Sequence, residues 1–222
     1  TSTSTLERKT AQQLIPITCS TKCISMNKMV LASGNSGKLA ELAAVLAHAQ
    51  ITLVKQTDLG IIGPEETGLS FIENALIKAR HAAEVSSLPA IADDSGLCVD
   101  CLQGAPGIYS ARYGDGSDAG NRAALLDTLK TRGDGPWPAH FHCTLVVVRT
   151  AYDPDPIIAQ ARWDGLITAE HKGSGGFGYD PIFFCPEQNA SAAELAPELK
   201  NRISHRAKAA QRLLAKLRDP LT

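Results

Sequence analysis

Apolar residues along this chain fall into short clusters divided by glycine- and serine-rich breaks, and their spacing switches between strand-like and helix-like. Lys28-Met29-Val30-Leu31-Ala32 is a compact apolar run that predicts a first strand. Leu39, Leu42, Ala43 and Leu46 then recur at i, i+3, i+4 and i+7, one face of a helix that Asn35 or Ser36 could cap. Ile51-Thr52-Leu53-Val54 predicts a second strand. Ser70-Phe71-Ile72-Glu73 is a capping box, opening a helix that carries Ile72, Ala75, Leu76 and Ala79 to about Glu84. Ala90-Ile91-Ala92 reads as a short buried strand that Ser95-Gly96 brings to a turn. Asn121 to Lys130 predicts a helix, and His140 to Val148 a strong strand. Ile157 to Trp163 is a further strand that turns at Trp163-Asp164-Gly165 and continues, and Ile182-Phe183-Phe184 is strand-like. Ser191-Ala192-Ala193-Glu194 is a second capping box. A final helix is predicted from Lys200 to Arg218, with Ile203, Ala207, Ala210, Leu214 and Leu217 as its buried stripe.

Composition narrows the class without naming a function. The 222 residues are 44% hydrophobic and 20% charged, ordinary for a globular chain with a sizeable core. A net charge of -1 gives no global attraction to nucleic acid or to a membrane surface. No apolar stretch approaches the roughly 20 residues that span a bilayer. The six cysteines lack the density of a disulfide framework, so reduced thiols and a cytoplasmic location are expected. Cys98-Val99-Asp100-Cys101 matches CxxC, but it lies in a strand-like stretch rather than at the helix N-terminus that activates a redox pair. Residues 1–25 stand apart: ten of them are Ser or Thr, and they read as a disordered extension before a single domain over 26–220.

The breaks between elements carry the chemistry. Ser33-Gly34-Asn35-Ser36-Gly37-Lys38 joins a strand to a helix N-terminus and ends in a lysine, an arrangement suited to a phosphate. It is not a Walker loop, because the glycine spacing differs and Leu39 stands where a Mg²⁺-binding hydroxyl would follow. Glu65 and Glu66 are loop carboxylates, either solvated charge or ligands for a hard cation. Asp93 and Asp94 adjoin on a strand, where neighbours face opposite sides. One is therefore a candidate for chemistry, and the other ties down the local backbone. His140 and His142 share a strand face, but no third ligand accompanies them. Gly173-Ser174-Gly175-Gly176-Phe177-Gly178-Tyr179-Asp180 contains a formal GxGxxG, yet Asp180-Pro181 and a strand follow it. A dinucleotide fingerprint must open a helix, so an aromatic base-binding lid suits this loop better. Lys200, His205 and Arg206 cluster at the start of the last helix.

Six of these segments occur together and in order. They are the Ser33–Lys38 loop, Glu65-Glu66-Thr67-Gly68, Ile91-Ala92-Asp93-Asp94-Ser95-Gly96-Leu97, the Gly104–Arg112 loop, Gly175–Pro181 and Ser204-His205-Arg206. In this they resemble the inosine/xanthosine triphosphate pyrophosphatase family of the bacterial RdgB type, over about Met26 to Leu217. Ser33 stands where that family often has Thr, which keeps the hydroxyl. The resemblance implies an α/β fold, with a long twisted mixed β-sheet and helices forming two lobes around a central nucleotide cleft. It implies a homodimer that hydrolyses dITP, ITP and XTP to the monophosphate and pyrophosphate with Mg²⁺. By the same resemblance Asp94 is the proton acceptor and a metal ligand, and Glu65 is the second carboxylate with Glu66 competing for that role. Ser33, Gly34, Asn35, Ser36, Gly37, Lys38 and Lys200 hold the triphosphate, and Ser95 touches the substrate. Phe177, Gly178, Tyr179, Asp180, His205 and Arg206 surround the base. A related architecture, the Maf type, would act on other modified nucleotides.

Overall fold

The computed structural model describes residues 27–34, 37, 42, 43, 46 and 51–218. The N-terminal extension and Asn35, Ser36, Lys38 and Leu39 lie outside the described residues. Seven strands form one mixed sheet in the order β2-β1-β3-β4-β5-β6-β7. β1 (Lys28–Ala32) lies parallel to both β2 (Thr52–Lys55) and β3 (Ala90–Val99). The remaining pairings, through β4 (Trp137–Val148), β5 (Ile157–Ile167), β6 (Phe183–Cys185) and β7 (Ala190–Ser191), are antiparallel.

Alternation along β3 assigns its residues to the two sheet faces. Ala90 and Ala92 pack with Val30, Ala32, Val146 and Val148 against Ala75, Ala79, Ala82 and Ala83 of α1 (Phe71–Ser86). Small residues on both sides let this helix approach the sheet closely. Ile91 faces the other way, into a cluster with Met29, Leu31, Leu145 and Val147. That cluster is covered by helical Leu42 and Leu46 and by Ala209, Ala210 and Leu213 of α4 (His205–Arg218). Ala43, expected on the same apolar face, is exposed. A second core lies further along the sheet. There Leu97, Val99, Trp137, Phe141, Trp163 and Phe183 pack with Leu125, Leu126 and Leu129 of α2 (Asp118–Lys130). The two lobes thus have separate cores, and β3 and β4 run through both.

β1 pairs with β3 only as far as Ala32↔Ala92, although β3 continues to Val99. The edge of β3 at Asp93 to Ser95 therefore opens beside the end of β1, and from Leu97 on it is bonded by residues Ala105 to Ser110. Crevices beyond the carboxyl ends of parallel strands are where ligands bind in open α/β sheets.

Four sequence expectations change here. Trp163-Asp164-Gly165 makes no turn, because β5 runs unbroken from Ile157 to Ile167. Ser95-Gly96 does not end the strand, because β3 passes straight through it. A Cβ on Gly96 would lie 2.2 Å from the Gly107 carbonyl oxygen, so glycine here serves close approach rather than a turn. The second capping box makes its hydrogen bond, Ser191 N–H to Glu194 Oε2 at 2.8 Å, but closes a turn instead of opening a helix. The final helix is two: α3 (Pro197–Ile203) and α4, broken at Ser204, whose backbone is extended. The Ser204 hydroxyl accepts the Ala207 N–H at 3.2 Å and caps α4.

Candidate active site

Two cavities meet at the open edge of β3. The first, of about 270 Å³, is polar and is bordered by Ser33, Gly34, Glu66, Lys78, Asp94 and Arg112, among others. The second, of about 200 Å³, is aromatic on one side and is bordered by Phe141, Phe177, Asp180, Lys200, His205 and Arg206, among others. Ser95 and Ala111 line both, so the two form one bent cleft.

Asp94 and Asp93 take opposite faces, as strand alternation requires. Asp94 faces α1, whose Lys78 ammonium donates to Asp94 Oδ1 at 2.7 Å and to Glu66 Oε1 at 2.8 Å. A single cation is thus already bridged by two carboxylates. Burial alone would depress the Lys78 pKa, but Asp94 and Glu66 outweigh it and hold the ammonium above its ordinary value. Burial would likewise raise the Glu66 carboxyl, and Lys78 and Arg112 reverse that, leaving it below its ordinary value. Lys78 therefore stays protonated and Glu66 ionised at neutral pH. Arg112 approaches Glu66 Oε2 at 3.4 Å from the far side.

Asp93 also borders the polar cavity, but its carboxylate serves the other face. It accepts from Arg206 Nε at 3.2 Å and from the Ser95 hydroxyl at 2.7 Å. Arg206 is 3% exposed, so this ion pair is buried. Beside the local Ser95 bond, the Arg206 pair links Asp93 across 113 residues and joins two walls of the aromatic cavity.

Around the aromatic cavity, Asp180 is buried, accepts the Phe177 N–H at 2.8 Å and pairs with Lys200 Nζ at 2.7 Å. A Cβ on Gly176 would lie 2.1 Å from Asp180 Oδ2, and φ there is +71°, so the loop needs glycine at that position. The Lys200 ammonium and Arg206 guanidinium lie 5.1 and 5.7 Å from the Phe177 ring centroid. His205 stacks on Phe141 at 4.8 Å. Tyr179 is buried, and its hydroxyl donates to the Ser110 carbonyl at 2.8 Å, which anchors one end of the loop.

The cleft gathers Ser33, Gly34, Asp94, Ser95, Phe177, Gly178, Tyr179, Asp180, Lys200, His205 and Arg206. Gly37 is helical, while Asn35, Ser36 and Lys38 fall outside the described residues. Two sequence expectations shift. Glu65 is exposed and does not border the cleft; its neighbour Glu66 does, because consecutive loop residues point apart and Lys78 draws Glu66 inward. Lys200 borders the aromatic cavity rather than the polar one, held there by Asp180. Sequence reasoning missed Lys78. Its only signal is position: a charged residue beside Ala75, Ala79 and Ala82, on the helix side that faces the sheet. His140 and His142 form no metal cluster; among the described residues no group of three or more His, Cys, Asp or Glu could hold an ion.

The Ham1 family profile matches residues 29–216. The chain belongs to the Ham1 family. It is 57% identical over 196 residues to the dITP/XTP pyrophosphatase of Shigella flexneri, covering 87% of this chain and 100% of that one. The dITP/XTP pyrophosphatase of Escherichia coli strain K12 is 56% identical over the same coverage. Among solved structures, a HAM1 protein from Coxiella burnetii has a TM-score of 0.81 at 44% identity, covering 86% of this chain and 98% of that one. The Staphylococcus aureus Ham1 protein has a TM-score of 0.76 at 36% identity, over 87% and 99%. The expected α/β architecture and the family resemblance are both met in this Ham1 chain.

Proposed function

We propose that this Ham1 chain hydrolyses nonstandard purine nucleoside triphosphates, dITP, ITP and XTP, to the monophosphate and pyrophosphate, clearing deaminated purines from the nucleotide pool. The observation that carries the reading is the joined cleft: a carboxylate–ammonium cluster meets an aromatic, cation-rimmed cavity at Ser95. A triphosphate suits the polar end and a purine the aromatic end. Asp94 accepts the proton of a water that attacks the α-phosphorus; the bond from that phosphorus to the bridging oxygen breaks, and pyrophosphate leaves with the electron pair. Lys78 donates to Asp94 Oδ1 and so orients that carboxylate.

The donor set fits Mg²⁺. Asp94 and Glu66 offer hard oxygen atoms, and Mg²⁺ takes one or two protein carboxylates, leaving its other positions to phosphate and water. When bound, it polarises phosphoryl oxygens and offsets charge on the leaving group. The glycine loop from Ser33 to Lys38 contributes to holding the phosphates, and backbone N–H groups at a helix N-terminus favour such an anion. Phe177 stacks on the purine. Donors on His205 and Arg206 match the 6-oxo group of hypoxanthine and xanthine, and adenine, with a 6-amino donor there, leaves them unpaired. Mismatches of this kind discriminate by about 10⁴–10⁵.

The unit that acts is the single domain over 26–220, working as a homodimer in the cytoplasm. The four cysteines of the described residues, Cys98, Cys101, Cys143 and Cys185, are free thiols, in keeping with a reducing compartment. Pyrophosphate release from ITP, XTP, dITP, GTP and ATP with Mg²⁺ tests the reading. ITP, dITP and XTP are expected to turn over fastest, and faster GTP or ATP hydrolysis overturns it. Asp94→Asn is expected to lower kcat by about 10²–10⁴-fold. Wild-type turnover in that variant removes Asp94 from the reaction.

A further inference from the structure

The Phe177 loop is held from a direction that its own sequence does not reveal. On one side Tyr179 anchors it in the core and Asp180 collects the Phe177 N–H. On the other, the Gly178 backbone is gripped by two side chains of α2, 60 and 56 residues earlier. The Gly178 N–H donates to Asp118 Oδ2 at 2.7 Å, and the Gly178 carbonyl accepts from Arg122 Nη1 at 2.5 Å. Asp118 and Arg122 are four residues apart on the helix, so they stand on one face, one turn from each other. α2 is itself fixed, by Ser117 as its N-cap and by Leu125 and Leu129 in the core.

We propose that Asp118 and Arg122 are a latch that holds Phe177 over the purine cavity, and that both are positioning residues for base binding. The inference rests on reading that cavity as the purine site. Three features support a latch rather than a simple packing contact. Both bonds fall on Gly178, next to Phe177, so losing them removes one of the two sides from which the ring is held. Gly178 has φ +62°, a conformation that most side chains resist, so the grip depends on a backbone shape that glycine supplies. The Asp118 contact is exposed, so water can replace it when the loop opens, whereas Arg122 Nε is buried with no hydrogen-bond partner among the described residues. Arg122 is therefore held in place with only part of its donor set satisfied, and its Nη1 donates to the loop. Closing a loop beforehand lowers the ordering cost of binding, so the latch acts on affinity rather than on the chemical step.

The test uses the full chain with Asp118→Ala, Arg122→Met and Asp118→Asn. Arg122→Met keeps the packing of the stem and removes the donors; Asn keeps an acceptor oxygen for the Gly178 N–H. Asp118→Ala and Arg122→Met are expected to raise KM for ITP, and to weaken calorimetric binding of inosine monophosphate, by about tenfold, with kcat changed far less. Asp118→Asn is expected to restore most of the lost affinity. Inhibition by inorganic pyrophosphate, which reports the polar end of the cleft, is expected to keep its wild-type constant in all three. An equal loss for pyrophosphate and monophosphate would make the contacts merely structural and overturn the latch, as would wild-type monophosphate affinity in both Asp118→Ala and Arg122→Met. Failure of the wild-type chain to bind inosine monophosphate overturns the purine reading itself, and the latch with it.

Discussion

At the scale of single residues, the adjacent carboxylates take separate partners on the two sheet faces. Asp94 shares Lys78 with Glu66, while Asp93 holds Arg206 and Ser95 on the opposite sheet face. Removing the charge of Asp93 leaves a guanidinium that is 3% exposed without its carboxylate. Breaking one side of a buried pair costs about 3–5 kcal/mol, so Asp93→Asn is expected to lower urea stability on that order. Because Arg206 and Ser95 also line the aromatic cavity, KM for ITP is expected to rise as well. Wild-type stability in this variant would show that the pair contributes nothing net. Three buried thiols lie on strands β3, β4 and β6: burial raises Cys98 to about 11 and Cys185 to about 12, and pushes Cys143 well above its ordinary value, so none is a nucleophile at neutral pH.

At the scale of elements, the break between α3 and α4 sets the site. A continuous helix through Ser204 would carry Lys200 and Arg206 on around one axis. The extended backbone at Ser204 instead restarts the chain, so that His205 and Arg206 open α4 at the cavity wall while Lys200 reaches Asp180 from α3. Ser204→Ala removes the hydroxyl that accepts the Ala207 N–H and is expected to cost about 0.5–2 kcal/mol of stability. Because the cap orients Arg206, weaker binding of inosine monophosphate is expected to accompany the loss. Unchanged binding would mean that the Asp93 pair alone fixes Arg206. This break was illegible in the sequence because Ile203, Ala207, Ala210 and Leu214 keep helical spacing across it. The apolar period records which face is buried, not whether the backbone is continuous. The same limit applies to Gly96, which reads as a turn locally and is explained only by the Gly107 carbonyl packed on it. By contrast β1 falls at Lys28–Ala32 and α1 opens at Ser70, as the pattern predicts, because local capping and a compact apolar run decide those boundaries. Several residues picked out by sharp motifs meet at the cleft, among them Asp94, Phe177 and His205. Lys78 was harder to read, since its place beside Ala75, Ala79 and Ala82 marks the helix face but not the carboxylates it meets there.

At the scale of the whole molecule, the cleft lies where two separately packed lobes share β3 and β4. Ser33, Lys78 and Asp94 belong to the lobe built on β1 and α1, and Phe177 and Gly178 to the lobe built on α2 and β6. A ligand that fills both cavities therefore ties the lobes together, whereas one that fills a single cavity engages mainly one. Ligand linkage stabilises the folded state by RT ln(1 + [L]/Kd), about 2.7 kcal/mol at a hundredfold excess over Kd. Joining two subsites in one molecule lowers Kd well below that of either fragment. In the Asp94→Asn variant, where substrate persists, ITP with Mg²⁺ is expected to raise the melting temperature more than inosine monophosphate or pyrophosphate at the same concentration. The excess is expected to shrink when Phe177 is replaced by Ala, since that variant uncouples the aromatic end. A shift from ITP no larger than that from pyrophosphate would mean that binding energy resides in the polar cavity alone, and that the aromatic cavity does not select the base.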